Sequence, residues 1–221
     1  MCGLVGFAAS GERCSDRLAL AMAALQHRGP DGQGESLRGN VSLGHTRLSI
    51  IDLEGGAQPL LSACGRYVLV ANGEIYNHTE LRQELLEGGA RFQTRSDCEV
   101  ILQGYVVWGR EILNRIEGMY AFALHDIERD EVLIARDPLG MKPLYWCQSG
   151  EGVRFASEMK ALLALMPTTP DLNSTALLQY IGSASAVAEH ALSGGGTAIG
   201  RRGAADPQRA ACRAVAPLVR Q

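Results

Sequence analysis

Nothing in the sequence is typical of a membrane-spanning or exported protein. The chain has no apolar run of about 18 residues, the length that a helix needs to cross a bilayer. Its amino terminus lacks the basic and apolar regions of a signal peptide. Basic clusters are missing too, and a net charge of −3 provides no attraction to nucleic acid or anionic lipid. We therefore expect a cytoplasmic protein with no membrane or nucleic-acid partner.

The cysteines form no metal-binding or redox motif. None of the six belongs to a C-x-x-C pair, which argues against a zinc site and a thioredoxin-type centre. In a reducing cytoplasm their thiols are expected to be free. They stand at positions 2, 14, 64, 98, 147 and 212.

Aromatic residues are absent from the last forty positions, 182–221, where alanine, glycine and arginine dominate. Such a segment adds little to a core, and we predict that it is disordered. The whole chain of 221 residues is 46% hydrophobic and is long enough for one sizeable core with an appendage. We therefore predict one folded domain at residues 2–181 followed by a tail at 182–221.

Cys2 combines two reactive groups if the initiator Met1 is removed. The residue would then carry a thiol nucleophile and a free α-amine, and an α-amine with a pKa of roughly 7.7–8.0 is able to accept the thiol proton near neutral pH. No distant histidine would be needed. The alternative is that a cysteine follows Met1 by chance and that residues 4–7 form an ordinary edge strand.

Arg47 is a cation within a strand-like segment. Residues 41–52 are apolar and β-branched, which predicts strands broken near Gly44. A cation there needs an anionic partner. Arg47 could form a structural ion pair, or its planar guanidinium could bind the carboxylate of a substrate.

Asn72 and Gly73 follow a predicted strand at 66–71, where an Asn-Gly pair usually forms a tight turn. An asparagine amide beside an unshielded glycine N–H is also a suitable pair of donors for an oxyanion. Downstream, Asn77 with Glu80 and Ser96 with Glu99 resemble capping boxes that begin two helices. Asp97 could accordingly stabilise a helix N-terminus, and a binding role for it needs further support.

The second half of the folded region changes to a β pattern. Strands are predicted near 119–124, 131–136, 144–147 and 153–156, and the first of them is apolar on both faces, as in a strand buried between layers. A helix capped by Ser157 is expected to follow. Before this region, a helix over 16–27 is predicted to carry its apolar side chains on one face.

Taken together, seven motifs occur in one order, and with them the chain resembles the glutaminase domain of class II glutamine amidotransferases, in the asparagine synthetase B branch. The motifs are Met-Cys-Gly-Leu-Val-Gly at 1–6, His-Arg-Gly-Pro-Asp-Gly at 27–32, His-Thr-Arg-Leu-Ser-Ile at 45–50, Asn-Gly-Glu-Ile-Tyr-Asn at 72–77, Ser-Asp-Cys-Glu at 96–99, Arg-Asp-Pro-Leu-Gly-Met-Lys-Pro-Leu-Tyr at 136–145 and Phe-Ala-Ser-Glu at 155–158.

The resemblance implies an α+β class, the N-terminal nucleophile hydrolase fold, a four-layer αββα sandwich of two mostly antiparallel sheets. It also implies a reaction. Cys2 attacks the side-chain amide of L-glutamine, Asn72 and the Gly73 N–H hold the oxyanion, ammonia leaves and water resolves the thioester. By the same resemblance Arg47 binds the substrate α-carboxylate and Asp97 its α-ammonium. Glu74, with the backbone near Leu48 and Ile50, completes the pocket.

Members of this family continue into a synthetase domain that uses ATP and Mg²⁺. Residues 193–196, Ser-Gly-Gly-Gly, begin like its pyrophosphate loop, but the acidic residue is missing. We expect no cofactor in this chain and a truncation with a frame change. Its partner could be a separate synthetase domain or another copy of the chain. The alternative function is a catalytically inactive remnant or interaction subunit.

Overall fold

The computed structural model describes residues 1–9, 15–50, 52, 53, 55–149, 152–171, 174, 178, 181 and the backbone of 214–216. Its strands are β1 (Gly3–Ala9), β2 (Gly32–Arg38), β3 (Val41–Arg47), β4 (Leu60–Leu61), β5 (Tyr67–Ile75), β6 (Gly118–Asp126), β7 (Glu131–Arg136), β8 (Tyr145–Ser149), β9 (Gly152–Ala156) and β10 (Ala214–Ala216). Its α-helices are α1 (Ser15–Ala24), α2 (His78–Glu87), α3 (Glu99–Trp108), α4 (Ile112–Arg115) and α5 (Met159–Ala164), with 3₁₀ turns at Gln26–Arg28 and Gly109–Glu111.

The strands form two five-stranded sheets in which every pairing is antiparallel. The first sheet has the order β2-β3-β1-β9-β8 and the second β10-β7-β6-β5-β4. A cluster of buried side chains from both sheets, including Leu4, Leu43, Val70, Ala123 and Phe155, fills the space between them. The two sheets therefore pack face to face.

The outer face of each sheet is covered by helices, because successive side chains of a strand point to opposite faces. In β5, Val70 faces the other sheet while Leu69 packs with α2 and α3. In β1, Leu4 faces the other sheet while Val5 packs with α1 and α5. The result is the predicted αββα sandwich, and the α+β class is confirmed.

One predicted strand boundary is wrong, and one strand was not predicted. The break expected near Gly44 does not occur, because β3 runs through Gly44 and pairs there with Val5. Gly44 instead makes room for α1, since a Cβ at this position would lie 2.7 Å from Met22 Sδ. β2 was not predicted, because this edge strand carries alternating polar side chains and exposes most of them.

Helices α2 and α3 both exist, but the predicted capping box of α2 is absent and that of α3 is only half formed. Ser96 Oγ accepts a hydrogen bond of 3.3 Å from the Cys98 N–H, as a capping side chain does. Asn77 makes no capping bond and its amide instead binds Arg115 O and the Glu117 N–H. Glu99 turns back to accept hydrogen bonds from the Gln93 and Thr94 N–H groups. The helices are therefore positioned by contacts with neighbouring loops.

The predicted helix over 16–27 is shorter, since α1 ends at Ala24 and is followed by the 3₁₀ turn. Most of the tail predicted at 182–221 lies outside the described residues, and within it Ala214–Ala216 pairs with β7. In the part of the chain that the structure describes, no helix combines the length and apolarity needed to cross a membrane.

Candidate active site

All eight predicted site residues line one cleft, with a cavity volume of about 110 Å³. It lies where the start of β1 and the end of β3, from one sheet, approach β5 of the other. The predicted residues that line it are Cys2, Arg47, Leu48, Ile50, Asn72, Gly73, Glu74 and Asp97. Chain segments as far apart as residues 2 and 97 therefore meet at a single place.

Cys2 is fixed by contacts to its thiol and to its carbonyl. The Leu48 N–H donates to Sγ at 3.4 Å, and the thiol lies 3.6 Å from Leu48 O, to which it donates. The Cys2 carbonyl accepts a hydrogen bond of 3.0 Å from Arg28 Nε. Because Gly3 pairs with Thr46 in the sheet, the residue just before β1 lies beside the residues just after β3.

Asn72 and Gly73 belong to the continuous strand β5, so they do not form the tight turn that their sequence also allowed. Asn72 pairs with Ala121 and Gly73 with Tyr120. Asn72 is only 2% exposed, and its Nδ2 is buried without a hydrogen-bond partner among the described residues. A buried amide donor of this kind is destabilising unless an acceptor forms a hydrogen bond with it.

The Gly73 N–H points to the same edge of β5 as the N–H groups of Ala71 and Ile75. Strand geometry repeats every two residues, so the N–H groups of residues 71, 73 and 75 point to one edge. The Ala71 N–H donates to Gln58 Oε1 at 2.6 Å and the Ile75 N–H to Asp97 Oδ2 at 2.9 Å. The Gly73 N–H lies between these two groups, on the edge that borders the cleft.

Close packing explains why position 73 is a glycine. A Cβ there would lie 2.6 Å from Met119 O and 2.8 Å from Tyr120 Cβ, both in the neighbouring strand β6. The absence of a side chain allows β5 to approach β6 normally and leaves the backbone donor accessible from the cleft.

Charged groups of both signs line the cleft. Arg47, at the end of β3, donates to the backbone oxygens of Leu53 and Asp52. Asp97 is 4% exposed, and among the described residues its carboxylate bonds to the Ile75 N–H of β5 instead of an N–H in the first turn of α3. Glu74 is half-buried on β5. An arginine and two carboxylates thus line the same cleft as the thiol.

Several further residues of the cleft had no place in the predicted site, among them Lys142, Gln58 and Cys98. Burial, followed by the negative charge of Asp97, raises the pKa of the Cys98 thiol well above its usual range. Gln58 clamps Ala71, since its amide donates to Ala71 O and accepts from the Ala71 N–H. The sequence feature that could have pointed to Lys142 as a site residue is its position in the 136–145 motif.

Lys142 is a buried cation, only 7% exposed. Its main chain is fixed because its N–H donates to Asp137 Oδ2 at 3.0 Å and its carbonyl accepts from Arg136 Nε. In the described part of the chain, its Nζ has neither a hydrogen-bond acceptor nor a carboxylate partner. The described residues also contain no group of three or more His, Cys, Asp or Glu side chains that could hold a metal ion.

The model of the glutamine amidotransferase domain family matches residues 1–195 of this sequence. The chain belongs to that family. Among its relatives are a putative glutamine-hydrolysing asparagine synthetase of Mycobacterium tuberculosis, 45% identical over 184 residues, and asparagine synthetase B of Escherichia coli, 50% identical over 145 residues. This amidotransferase domain is of the asparagine synthetase type, as the motifs predicted.

The aligned regions cover 75% of the amidotransferase chain and 28% of the M. tuberculosis protein, and 65% and 26% in the E. coli comparison. The chain therefore spans little more than a quarter of the length of these relatives. Among solved structures, the glutamine phosphoribosylpyrophosphate amidotransferase of Bacillus subtilis has a TM-score of 0.63 and 27% identity, covering 74% of this chain and 43% of that one. The fold prediction is therefore also confirmed by comparison.

Proposed function

We propose that this chain hydrolyses the side-chain amide of L-glutamine to glutamate and ammonia, through a thioester on Cys2. The observation that carries the proposal is that two donors line the same cleft as the thiol: Asn72 Nδ2, which has no hydrogen-bond partner among the described residues, and the Gly73 N–H. Attack on an amide turns its carbonyl into an oxyanion, and preorganised donors of this kind stabilise that charge.

Catalysis requires that Met1 be removed. While Met1 is attached, the nitrogen of Cys2 is a peptide nitrogen and is not basic, whereas the freed α-amine can accept the thiol proton. The sulfur then bonds to the amide carbon and the carbonyl becomes the oxyanion. Collapse of this intermediate breaks the carbon–nitrogen bond, and the nitrogen leaves as ammonia with the proton held by the α-amine. Water cleaves the thioester, giving glutamate and restoring the thiol.

Substrate selection follows from the opposite charges in the cleft. We propose that Arg47 pairs with the α-carboxylate of glutamine and that Asp97 accepts its α-ammonium. Glu74 and the backbone near Leu48 and Ile50 contact the remaining polar atoms. A substrate that lacks either charged group would forgo one of these two ion pairs, which lowers its affinity for the cleft relative to glutamine.

The first test is glutamate release by the purified chain, with Met1 removal verified by the mass of the intact protein. Cys2→Ala should abolish release, and so should a form in which Met1 is retained. Asn72→Ala should lower kcat about 10²- to 10³-fold with little change in KM, as expected for loss of an oxyanion donor. Cys64→Ala is the matched control, because Cys64 is an exposed free thiol that does not line the cleft.

A second candidate is a non-catalytic subunit that binds a partner. It is favoured by large apolar side chains at or next to residues of the cleft, since Ile50 is 67% and Met141 61% exposed. The same experiment separates the two functions. A processed, folded chain that releases no more glutamate than Cys2→Ala does would support the subunit and contradict the hydrolase.

Both relatives are named as glutamine-hydrolysing asparagine synthetases. We propose that the ammonia formed here serves an amidation of that kind, with aspartate as the default acceptor. Because this chain corresponds to 26–28% of those proteins, the proposal for the chain itself is limited to glutamine hydrolysis, and ATP and Mg²⁺ belong to the synthetase step.

A further inference from the structure

Two motifs without a role in the proposed reaction meet at the main chain of Cys2. We propose that Arg28, held by Glu158, is a positioning residue that orients Cys2 through its carbonyl and sets the basicity of the freed α-amine. This inference rests on the proposed function, because it assigns to the pair a role in the same reaction. Neither residue lines the cleft of the thiol.

Arg28 contacts both partners through separate nitrogens. Its Nε donates to Cys2 O at 3.0 Å, and its Nη1 donates to Glu158 Oε1 at 2.9 Å. The side chain is 9% exposed, and its third nitrogen, Nη2, is buried without a hydrogen-bond partner among the described residues. An arginine that leaves one donor unsatisfied is unfavourable as a purely structural element.

Glu158 is fixed relative to Cys2 by the residue before it. The Ser157 N–H donates to Leu4 O at 2.8 Å, and Ser157 Oγ accepts from the Leu4 N–H at 2.9 Å. Ser157 is thus joined to β1 two residues after Cys2. These two hydrogen bonds to the strand place the Glu158 carboxylate at a defined distance from the start of β1.

Two further basic side chains surround Glu158. His27 Nε2 lies 2.8 Å from Oε1, and Lys160 Nζ lies 3.4 Å from Oε2 and 3.4 Å from His27 Nδ1. A lysine ammonium can only donate, so His27 Nδ1 is the acceptor of the Lys160 hydrogen bond. The ring hydrogen is therefore on Nε2, which donates it to the Glu158 carboxylate. Partial burial raises the pKa of Glu158, but hydrogen bonds from Arg28, His27 and Lys160 outweigh it and lower that pKa to about 2.

The position of the guanidinium has a chemical consequence for the nucleophile. The carbonyl carbon and the α-amine of Cys2 are bonded to the same Cα, so Arg28 Nε lies within about 7 Å of the amine. A fixed cation at this distance disfavours the ammonium form, which lowers its pKa and increases the fraction of amine that can accept the thiol proton at neutral pH. Glu158 opposes this effect with its negative charge.

Other charges also act on the amine, and both variants described below leave them in place. They come from the 3₁₀ turn, from α5, from the ends of β3 and β5, from the segment before α3 and from the loop after β7. These groups are His27, Lys160, Arg47, Glu74, Asp97, Cys98 and Lys142.

The pH dependence of kcat/KM distinguishes this role from simple support of the fold. Arg28→Gln removes the cation and should move the acid limb to higher pH. Glu158→Gln removes the anion and should move it to lower pH, each by roughly half a unit to one unit. Glu84→Gln is the matched control, because Glu84 forms an exposed ion pair of 2.7 Å with Arg115 and should shift nothing.

If Arg28 orients Cys2, its replacement should lower kcat. We expect kcat to fall at least tenfold in Arg28→Gln and KM to stay nearly constant, since the residues proposed to bind the substrate are unchanged. Arg28→Lys keeps the charge but lacks the two separate donors. It should keep the wild-type acid limb and still show a reduced kcat. The proposal would be overturned if the acid limb of kcat/KM moved in the same direction in Arg28→Gln and Glu158→Gln, or moved in neither variant.

A direct titration keeps the inference testable if glutamine hydrolysis fails. In chains labelled with ¹³C-cysteine at the carbonyl, the Cys2 signal, assigned from Cys2→Ala, reports protonation of the neighbouring α-amine. Opposite shifts of its midpoint in the two charge variants, in a chain without glutaminase activity, would support the electrostatic role and contradict the proposed function. If Arg28→Gln does not fold, the midpoint in Glu158→Gln decides, and an unchanged midpoint there contradicts the role.

Discussion

The backbone N–H of Ile75 donates a hydrogen bond of 2.9 Å to the carboxylate of Asp97. This bond joins the end of β5 to the residues just before α3, and it holds an acidic group at the border of the cleft. Because Asp97 is almost completely buried, its charge is weakly screened by water. One contact therefore serves both the local architecture and the proposed recognition of a substrate ammonium.

Asp97→Asn should lower kcat/KM for glutamine about 10- to 100-fold, the loss expected when a hydrogen bond to a charged group is removed. The fold should persist, because the asparagine oxygen can still accept the Ile75 N–H. The loss should disappear with the glutamine analogue that lacks the α-amine. Asp130→Asn is the control, since Asp130 also accepts a backbone N–H, from Asn40, without lining the cleft. Equal losses with both substrates would contradict an ammonium contact.

Gly73→Ala should both destabilise the protein and reduce its activity. The added Cβ overlaps with the backbone and side chain of β6, which should lower the free energy of unfolding by about 1–3 kcal/mol. Urea denaturation measures this. In Gly88→Ala, the nearest atom to the new Cβ is 3.4 Å away, so this variant should be neutral or slightly more stable. Equal stability of the two variants would show that position 73 tolerates a side chain.

His45 should make the fold less stable as pH falls from about 6.5 to about 4. Burial lowers its pKa to about 4, although the hydrogen bond with Ala71 O opposes this. In that pH window the unfolded chain binds a proton that the native state excludes, so stability is lost on acidification, by up to about 1.4 kcal/mol per pH unit.

His45→Gln should remove this contribution and flatten the dependence of the unfolding free energy on pH. Glutamine can still donate to Ala71 O, which limits other damage to the fold. Part of the slope should remain, because burial also lowers the pKa of His125. An unchanged slope in His45→Gln would exclude His45 as its source.

Lys142→Met should make the protein more stable and less sensitive to its product. Lys142 is 7% exposed and its Nζ has no partner among the described residues, so an apolar side chain of similar length should remove a desolvation penalty of about 1 kcal/mol or more. Glutamate carries one more negative charge than glutamine, so inhibition by glutamate should weaken several-fold. Thermal unfolding and inhibition assays measure the two effects.

Lys142→Arg keeps the positive charge and is the control for the effect on glutamate. Product inhibition in this variant should resemble that of the unchanged chain. If Lys142→Met lowered the melting temperature and left glutamate inhibition unchanged, the lysine would have a partner or a structural function that the described contacts do not contain.

Secondary structure was predictable wherever burial imposed a clear period. Phe122 lies in a segment that is apolar on both faces, and it is fully buried between a helical layer and the second sheet. β2 escaped prediction because an exposed edge strand has no apolar face to reveal it. The strand break predicted near Gly44 is wrong because two kinds of glycine look alike in sequence. A glycine within a strand that leaves space for a packed helix cannot be told from one that ends the strand.

The chemistry proposed for the site rests on motifs, because each reactive group depends on residue type. A thiol after Met1, an asparagine beside a glycine and an arginine with an aspartate are visible in the sequence. Lys142 belongs to the motif at 136–145, but its residue type alone indicates no role. Its burial and lack of a partner depend on how the loop 137–142 folds back on Asp137, and sequence does not determine that without the surrounding structure.

The sequence alone, through the resemblance of its ordered motifs to a known family, implied the αββα class and named the residues proposed for the site, because both are carried by residue type and order along the chain. Only the tertiary structure decided that Asn72 and Gly73 lie in a strand that lines the same cleft as Cys2, and that Arg28 connects Cys2 to Glu158 across 130 residues of sequence. The physical reason is that hydrogen bonds depend on distances and directions between segments, which exist only after two sheets and their helices have packed.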